Sequence, residues 1–248
     1  ISHQNGSIPL FLKLTKGRKF GYDVHGILSI QKEYLHEKAA RNKLLFYLSL
    51  AEEKYIYKYA DVINVGSERM MNFLKSNFQT SAVFVLAPDG LLRSDFTEHL
   101  DSEKVKLMKN KFGIKKNDKV LFFAGNFKKF GGVHYLVDAF CQLAGQIDNL
   151  KLFLIGSGQM ERYVIRQIMA NKLEDRFVHL KQVDYRLLPY YQQLATLIIC
   201  PDMANRYNEM IPHIKFFDSI SSGKPVIATG FDVLKELIPA NKGAVRYC

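Results

Sequence analysis

Three side chains able to bind or activate a ligand lie close together in residues 208–230. Glu209, Lys215 and Asp218 supply two carboxylates and one ammonium group, and Met210 and Ile211 stand between the first two. Carboxylates accept hydrogen bonds, and an ammonium group is a compact positive charge. We expect all three near the mouth of one helix–turn–strand unit.

A helix and a strand are predicted to position these side chains. Pro212 suits the first turn of a helix, and Gly223 suits the position just after its end. Residues 226–229 form a short β-branched run, typical of a strand that is buried on both faces. The apolar stripe of the helix is predicted to consist of Ile214, Phe217, Ile220 and Ser221.

The order of the remaining elements predicts two α/β domains with parallel sheets. The first half has predicted strands at 8–14, 20–24, 61–65 and 82–86, with helices over 31–59 and after Ser67. A charged segment follows. The second half has predicted strands at 120–124, 150–155, 177–180, 197–200 and 226–229, separated by helices of about ten residues. The predicted organisation is a partial domain over 1–97, a linker over 98–118 and a second domain over 119–248.

Three predicted strands of the second half end in polar or glycine-rich turns. Gly125 and Asn126 follow the first strand, Gly156 and Gly158 follow the second, and residues 201–209 follow the fourth. Ligands of open parallel sheets bind beyond the carboxyl ends of the strands, where a glycine lets a phosphate approach the backbone. Each turn taken alone is equally typical of a tight strand-to-helix connection.

Composition narrows the class of protein. The chain of 248 residues is 48% hydrophobic and carries a net charge of +11, so it is globular and basic. A basic surface suits phosphorylated ligands or anionic lipid headgroups, and it is also typical of a plain solvated surface. Cys141, Cys200 and Cys248 are widely spaced, as expected for free thiols in a reducing cytosol, and no metal site is predicted.

Residues 212–229 read P-x-x-K-x-x-D-x-x-x-x-G-K-P-V-I-A-T. This pattern resembles the nucleotide-sugar-binding segment of the family-4 retaining glycosyltransferases, which have the two-domain GT-B fold. Shorter matches extend the resemblance over nearly the whole chain: D-x-H at 23–25, A-D-x-I-x-x-x-S from Ala60, P-D-G at 88–90, G-N to G-V at 125–133, and L-I-G-S-G at 154–158. The implied fold class is α/β and GT-B-like, with two Rossmann-like domains of which the first is incomplete. The resemblance also implies a fragment that lacks the start of the first domain and the last helices.

The resemblance assigns roles to individual residues. Asp218 stands where the family has a carboxylate that binds the ribose hydroxyls, and Glu209 is the nearest match to an earlier carboxylate that faces the donor sugar. His25 matches the family's histidine near that sugar, so His25 and Glu209 are the catalytic candidates. The implied donor-binding residues are Gly125, Asn126, Lys128, Lys129, Gly156, Gly158, Met210, Ile211, Lys215 and Asp218.

The chain departs from the family pattern at three positions. Asn126 and Gly131 replace the arginine and lysine that bind phosphate, and Met210 occupies the position eight residues before Asp218. Two interpretations of Lys128 and Lys129 are then equally open: one of them reaches the diphosphate, or both are solvated loop lysines. Structural alternatives remain open: Glu209 as a solvated loop residue, His25 as a hydrogen-bonded structural residue, and Asp218 in an ion pair with Lys215 three residues earlier.

The leading hypothesis is a retaining transferase that moves a sugar from a nucleoside diphosphate, of the UDP or GDP type, to an acceptor hydroxyl of a glycan or glycolipid. No cofactor or metal is expected, nucleic acid is not an expected partner, and the expected location is the cytoplasm. The basic charge leaves peripheral association with a membrane open. The alternative is a non-catalytic GT-B-like module. A dinucleotide oxidoreductase is a weaker hypothesis, because no G-x-G-x-x-G follows the first strand.

Overall fold

A computed structural model describes residues 2–3, 7–35, 40–88, 100–239, 243 and 245–248. The described residues form two compact units. One lies within 1–89 and 205–212, and the other within 90–204 and 213–248. Residues 205–212 thus belong to the first unit, whereas the sequence-based division had counted them with the second domain.

The first unit contains a four-stranded parallel sheet in the order β1-β2-β3-β4. Its strands are β1 (Ser2–His3), β2 (Gly21–Val24), β3 (Val62–Val65) and β4 (Val83–Leu86). Its helices are α1 (Ser7–Lys16), α2 (Leu28–Leu35), α3 (Ala40–Tyr59) and α4 (Glu68–Asn77). Tyr22, Val24, Ile63 and Val65 are buried on one face of β2 and β3, as the two-residue period of a strand requires.

Two predictions for the first unit differ from the structure. Residues 8–14 were predicted as a strand, but they belong to helix α1. A short apolar run has no periodicity that separates strand from helix. Pro9 lies in the first turn of the helix, where proline is tolerated, and Gly17 follows the last helical residue with φ 61°. The long helix predicted over 31–59 corresponds to α2 and α3, and residues 36–39 lie outside the described part. The predicted turn at 88–90 also falls largely outside it.

Ser67 begins helix α4 as predicted, because its hydroxyl oxygen accepts a hydrogen bond from the backbone N–H of Met70. The side chain of Ser67 is buried, and its own hydroxyl hydrogen is donated elsewhere in the same unit, to the carbonyl oxygen of Met210. One residue therefore fixes both a helix and the segment 205–212.

The second unit contains a six-stranded parallel sheet in the order β10-β9-β8-β5-β6-β7. Its strands are β5 (Lys119–Ala124), β6 (Leu150–Ile155), β7 (Phe177–Leu180), β8 (Leu197–Cys200), β9 (Val226–Ala228) and β10 (Val245–Tyr247). Its helices are α5 (Ser102–Lys111), α6 (Val133–Ala144), α7 (Glu161–Ala170), α8 (Leu188–Gln192), α9 (Ile214–Ser221) and α10 (Asp232–Leu237). Strands β5 to β9 were predicted within one residue at each end, and β10 was not predicted.

The second sheet is buried on both faces, as its β-branched and aromatic strands predict. Phe122 and Phe153 face one hydrophobic cluster, which also holds Phe216 of α9. The neighbouring residues Phe123 and Leu154 face a second cluster on the opposite side. Helix α5, within the segment predicted as a linker, packs partly buried apolar side chains against the first of these clusters.

Helix α9 begins later and faces differently than predicted. His213 is its N-terminal cap residue, so Pro212 precedes the helix instead of opening it. The buried side chains are Phe216, Asp218 and Ser219, and Ile214, the first residue of the predicted stripe, is 52% exposed. Phe217 and Ile220 of that stripe are partly buried and pack against the hydrophobic cluster that holds Phe216, so the prediction of the buried face was right in part. The C-terminal end is as predicted, because Gly223 has φ 72° just after the cap residue Ser222.

Candidate functional site

The loops that follow β5 and β6 are hydrogen-bonded to each other. The backbone N–H of Gly125 donates to the carbonyl oxygen of Ile155 at 2.9 Å, and that of Phe127 donates to Ser157 at 2.9 Å. The structure thereby brings together four predicted site residues at the carboxyl edge of the second sheet: Gly125, Asn126, Gly156 and Gly158.

Close packing between these loops explains their glycines. Gly156 has φ 145°, and a Cβ atom there would lie 1.9 Å from the carbonyl oxygen of Gly125. Gly158 has φ 146°, and its Cβ would lie 2.8 Å from Oδ1 of Asn126. Both positions therefore require glycine for structural reasons alone. The same packing leaves the exposed Asn126 side chain at this edge.

The predicted lysines of the next turn lie just before helix α6. Lys128 precedes a short 3-10 turn at Lys129–Gly131, and its Nζ lies 5.5 Å from the centre of the Phe130 ring. Gly132 ends that turn with φ 72°, and a Cβ there would collide with the carbonyl oxygen of Pro201. The chain therefore passes from the lysines into α6 along the end of strand β8.

Lys215 is held by a carboxylate that the sequence did not single out. Its Nζ lies 2.5 Å from Oδ1 of Asp202, and both side chains are largely buried, 19% and 6% exposed respectively. The ammonium group also lies 5.3 Å from the centre of the Phe123 ring. The Lys215 stem passes next to Gly125, whose Cβ position is 3.4 Å from Lys215 Cδ. The structure therefore places Lys215 beside the first glycine turn.

Asp218 bonds to a tyrosine instead of to Lys215. The hydroxyl of Tyr185 donates a hydrogen bond of 2.6 Å to Oδ1 of Asp218, while the ammonium of Lys215 is paired with Asp202. The expected alternative, an ion pair between Lys215 and Asp218, is not formed. Burial raises the pKa of Asp218 above its ordinary value, and the hydrogen bond from Tyr185 acts in the opposite direction.

His213 adds a neutral imidazole next to this charged pair. Burial lowers the pKa of His213 to about 4, the nearby carboxylate of Asp202 raises it, and the positive charges of Lys215 and Lys128 lower it further. The ring is therefore uncharged at neutral pH. The second unit thus gathers two lysines, two carboxylates, a neutral histidine and two glycine turns.

The other predicted residues lie in the first unit. Glu209 is exposed, and its backbone N–H donates to the carbonyl oxygen of Asn205. Met210 and Ile211 have buried side chains, and the Met210 carbonyl oxygen is held by Ser67 at 2.7 Å. The segment of the first unit ends at Pro212, and the second unit resumes at His213. Met210 and Ile211 therefore belong to a different unit from Lys215, although they are close to it in sequence.

His25 follows strand β2 in the same unit and contacts a carboxylate. Its Nε2 lies 3.2 Å from Oδ2 of Asp23, and the other oxygen of Asp23 accepts a hydrogen bond of 2.8 Å from Nδ2 of Asn64. These three residues, together with Ile211 and Pro212, line a cavity of about 50 Å³. His25 and Ile211 are thus predicted site residues that the structure brings together.

Sequence reasoning missed Asp202, Tyr185 and Asn64. Asp202 follows the end of strand β8 by two residues, a position that could have indicated a ligand edge. Asn64 interrupts the β-branched run V-I-N-V, and a polar side chain in such a run is itself a signal. Tyr185 lies on a loop and carries no signal of its own.

Two absences concern only the residues that the structure describes. Within them, no helix is both long and apolar enough to cross a membrane. In the same part of the chain, no three histidine, cysteine or acidic side chains are grouped in a way that could hold a metal ion.

Curated proteins similar to this chain include a synthase and a mannosyltransferase. The chain is 28% identical over 186 residues to N-acetyl-alpha-D-glucosaminyl L-malate synthase of Bacillus anthracis, which covers 72% of this chain and 44% of that protein. It is 25% identical over 162 residues to chitobiosyldiphosphodolichol beta-mannosyltransferase of Candida glabrata, covering 61% of this chain and 35% of that one. The chain therefore spans less than half the length of these relatives.

Solved structures show the same fold. Sucrose-phosphate synthase from Thermosynechococcus elongatus superposes with a TM-score of 0.75 at 20% identity, over 98% of this chain and 58% of that one. Anabaena Alr3699/HepE in complex with UDP-glucose gives a TM-score of 0.74 at 16% identity, over 97% and 62%. The predicted GT-B-like α/β fold with parallel sheets is thereby confirmed. The family model described as "Glycosyl transferases group 1" matches residues 104–246, which is more than half of the chain, so the chain belongs to that family of glycosyltransferases.

Proposed function

We propose that this chain transfers a sugar from a nucleoside diphosphate donor, of the UDP or GDP type, to an acceptor hydroxyl of a saccharide or lipid-linked saccharide. The observation that carries the proposal is the grouping of two glycine turns, Lys215 and the buried carboxylate Asp218 at the carboxyl edge of the second sheet. Two relatives are named as sugar-transferring enzymes, and a structural neighbour was solved with UDP-glucose.

The donor nucleotide is assigned to the second unit. Asp218 accepts hydrogen bonds from the ribose hydroxyls, as a carboxylate can with either oxygen. The diphosphate lies at the turns of Gly125 and Gly156, where the N-terminal ends of helices α6 and α7 each contribute about half a positive charge. Lys128, Lys129 and Lys215 supply the remaining positive charge that stabilises the departing diphosphate, without a metal ion.

The sugar and the acceptor are assigned to the first unit. We assign His25 to the positioning of the sugar, and Glu209, which is exposed on segment 205–212, as the carboxylate that faces it. Transfer with retention, polysaccharide or glycolipid biosynthesis, a cytoplasmic location and peripheral association with anionic lipid belong to the same proposal, supported by the resemblance of the motifs and by the net charge of +11.

A non-catalytic GT-B-like module is the second candidate. It is favoured by Met210, whose side chain is buried where the family has a carboxylate, and by Asn126 and Gly131 in place of the phosphate-binding arginine and lysine. Such a module would bind nucleotide without releasing sugar.

Turnover separates these two candidates. The protein is incubated with UDP-glucose, UDP-N-acetylglucosamine or GDP-mannose together with a mixture of mono- and disaccharides that supply acceptor hydroxyls, and the release of UDP or GDP and the formation of the glycosylated acceptor are followed. We expect one donor to be consumed by the wild-type protein and by Asp232→Ala, a control at a carboxylate that is 60% exposed, and not by Asp218→Ala. Nucleotide binding without release from any donor would favour the non-catalytic module.

A further inference from the structure

Asp23 and Asn64 form a polar pair on a strand face opposite the hydrophobic core of the first unit. They lie opposite each other in the register of β2 and β3, and the residues that flank them in sequence point into the core. The Asn64 amide donates to Oδ1 of Asp23 at 2.8 Å. An ionised carboxylate only accepts hydrogen bonds, so the amide nitrogen must face Asp23 and the amide oxygen must face away.

The amide oxygen of Asn64 is buried, and within the described residues it has no hydrogen-bond partner. A buried acceptor that stays unpaired is costly, and native proteins pair nearly all of them. The surrounding contacts fix its position, because the other end of the amide is held by Asp23. Since no described residue supplies a donor, we consider a donor that comes from a bound ligand or from water.

The volume of the cavity that Asn64 lines limits the size of the group that can donate to this oxygen. That volume is about 50 Å³. A cavity needs about 10–15 Å³ of such volume to hold one water molecule, so this one has room for a water or a hydroxymethyl group and is too small for a whole sugar ring. It lies at the carboxyl ends of β2, β3 and β4, the side on which parallel sheets bind ligands. Ile211 and Pro212 line it from segment 205–212.

The chemistry of the cavity favours an uncharged donor. One oxygen of Asp23 accepts from Asn64 and the other lies 3.2 Å from Nε2 of His25, so the carboxylate already has polar neighbours on both oxygens. The neutral amide oxygen of Asn64 is, by contrast, an acceptor that has no partner among the described residues. A hydroxyl group donates one hydrogen bond to such an acceptor without a charge to desolvate.

We propose that the amide oxygen of Asn64, oriented by Asp23, accepts a hydrogen bond from one hydroxyl group that a sugar bound beside His25 places in this cavity. Asn64 is then a specificity-determining residue, and Asp23 is a positioning residue. The inference rests on the proposed function for the identity of the ligand as a sugar. The hydroxyl comes either from the donor sugar or from the acceptor saccharide, and the two sources are separated by experiment.

The test is calorimetric titration of wild type, Asn64→Leu and Asn77→Leu. Asn77→Leu is the matched control, because Asn77 is exposed and its amide nitrogen donates a hydrogen bond to the carbonyl oxygen of Phe73 in its own helix. The donor arm compares UDP with UDP-glucose, and GDP with GDP-mannose. The acceptor arm titrates glucose, mannose or N-acetylglucosamine into protein saturated with UDP or GDP. Analogues of the sugar that binds, each lacking one hydroxyl, are then titrated in the same way.

Asn64→Leu is expected to weaken binding of the sugar-bearing ligand about tenfold while leaving UDP or GDP binding unchanged, because a buried hydrogen bond is lost. One deoxy analogue should bind Asn64→Leu and wild type equally. An effect in the donor arm identifies the donor sugar, and an effect in the acceptor arm identifies the acceptor.

Equal sugar binding by Asn64→Leu and wild type would overturn the proposal and leave the cavity to a water molecule. So would a wild-type protein that does not discriminate against any deoxy analogue, a result that needs no variant. Asn64→Ser, which keeps a polar side chain, replaces Asn64→Leu if the latter unfolds at a lower temperature. If neither nucleotide binds, the proposed function fails, and titration of free monosaccharides alone decides the inference.

Discussion

The hydroxyl group of Tyr185 donates a hydrogen bond of 2.6 Å to Oδ1 of Asp218, although the two residues are 33 positions apart in the chain. This bond favours the ionised form of a carboxyl group whose pKa is raised by burial. A neighbour that is distant in sequence therefore opposes the effect of burial on the pKa of the proposed ribose-binding residue.

Tyr185→Phe should change the pH dependence of nucleotide binding. Because burial raises the pKa of Asp218, UDP binding is expected to weaken as the pH falls and the carboxylate becomes protonated. Loss of the tyrosine hydroxyl removes a group that lowers this pKa, so the weakening should begin at a higher pH. Dissociation constants measured from pH 5 to pH 8 test this, with Tyr135→Phe, an exposed tyrosine on α6, as the control. Superimposable profiles for wild type and Tyr185→Phe would contradict it.

Lys215→Met should destabilise the second unit. The substitution leaves the Asp202 carboxylate, 6% exposed, without its ammonium partner, and a buried charge stripped of its partner costs about 3–5 kcal/mol of unfolding free energy. Urea unfolding followed by circular dichroism measures the loss. The double variant Lys215→Met/Asp202→Asn should recover part of it, because the uncompensated charge is gone. A double variant no more stable than Lys215→Met would show that the charge is not the cause.

Gly156→Ala should also lower stability, by about 2 kcal/mol or more, because φ 145° is strained for alanine and its Cβ would collide with the Gly125 carbonyl oxygen. Gly145→Ala is the control. Gly145 has φ −73°, and its Cβ position meets nothing closer than 3.8 Å, so the change is expected to stay within about 0.5 kcal/mol. Equal melting temperatures for the two variants would refute the loop packing described for β5 and β6.

His213 should make the folded protein less stable in mild acid. Its pKa is about 4 in the folded chain, below the value near 6.5 of an unfolded histidine. As the pH falls from about 6.5 towards 4, the unfolded state binds a proton that the folded state does not, so stability declines. His213→Gln removes this contribution, and the difference in urea midpoint between pH 7.5 and pH 5 should shrink. A difference as large as that of wild type would assign the decline to other groups.

The sheet strands were predictable because they are short runs of β-branched and aromatic residues between turns, and β6, β7 and β8 match to the residue. The face of helix α9 was not predictable from spacing alone. Phe216 of that helix packs into the cluster beneath the sheet, and this tertiary contact sets which side is buried. The same limit applies to residues 8–14, where an apolar run fits a strand and a helix equally well.

The candidate site was also predictable only in part. Its glycine turns were predictable, since they follow strands and need backbone angles that favour glycine. The pairings of Lys215 with Asp202, Asp218 with Tyr185 and Asp23 with Asn64 were not. Each joins residues brought together by strand register or loop packing, and sequence spacing says nothing about those contacts. The placement of residues 205–212 in the first unit was also not predictable, because it depends on contacts between residues that are distant in sequence.

Binding of the donor nucleotide to the second unit is tested most directly by calorimetric titration with UDP, GDP, CDP and NAD. The wild-type protein is expected to bind one nucleoside diphosphate, and Asp218→Ala should lose that binding while Asp232→Ala keeps it. Binding of NAD alone, equal affinity in Asp218→Ala, or no binding of any nucleotide by folded protein would contradict the assignment of Asp218 to the ribose.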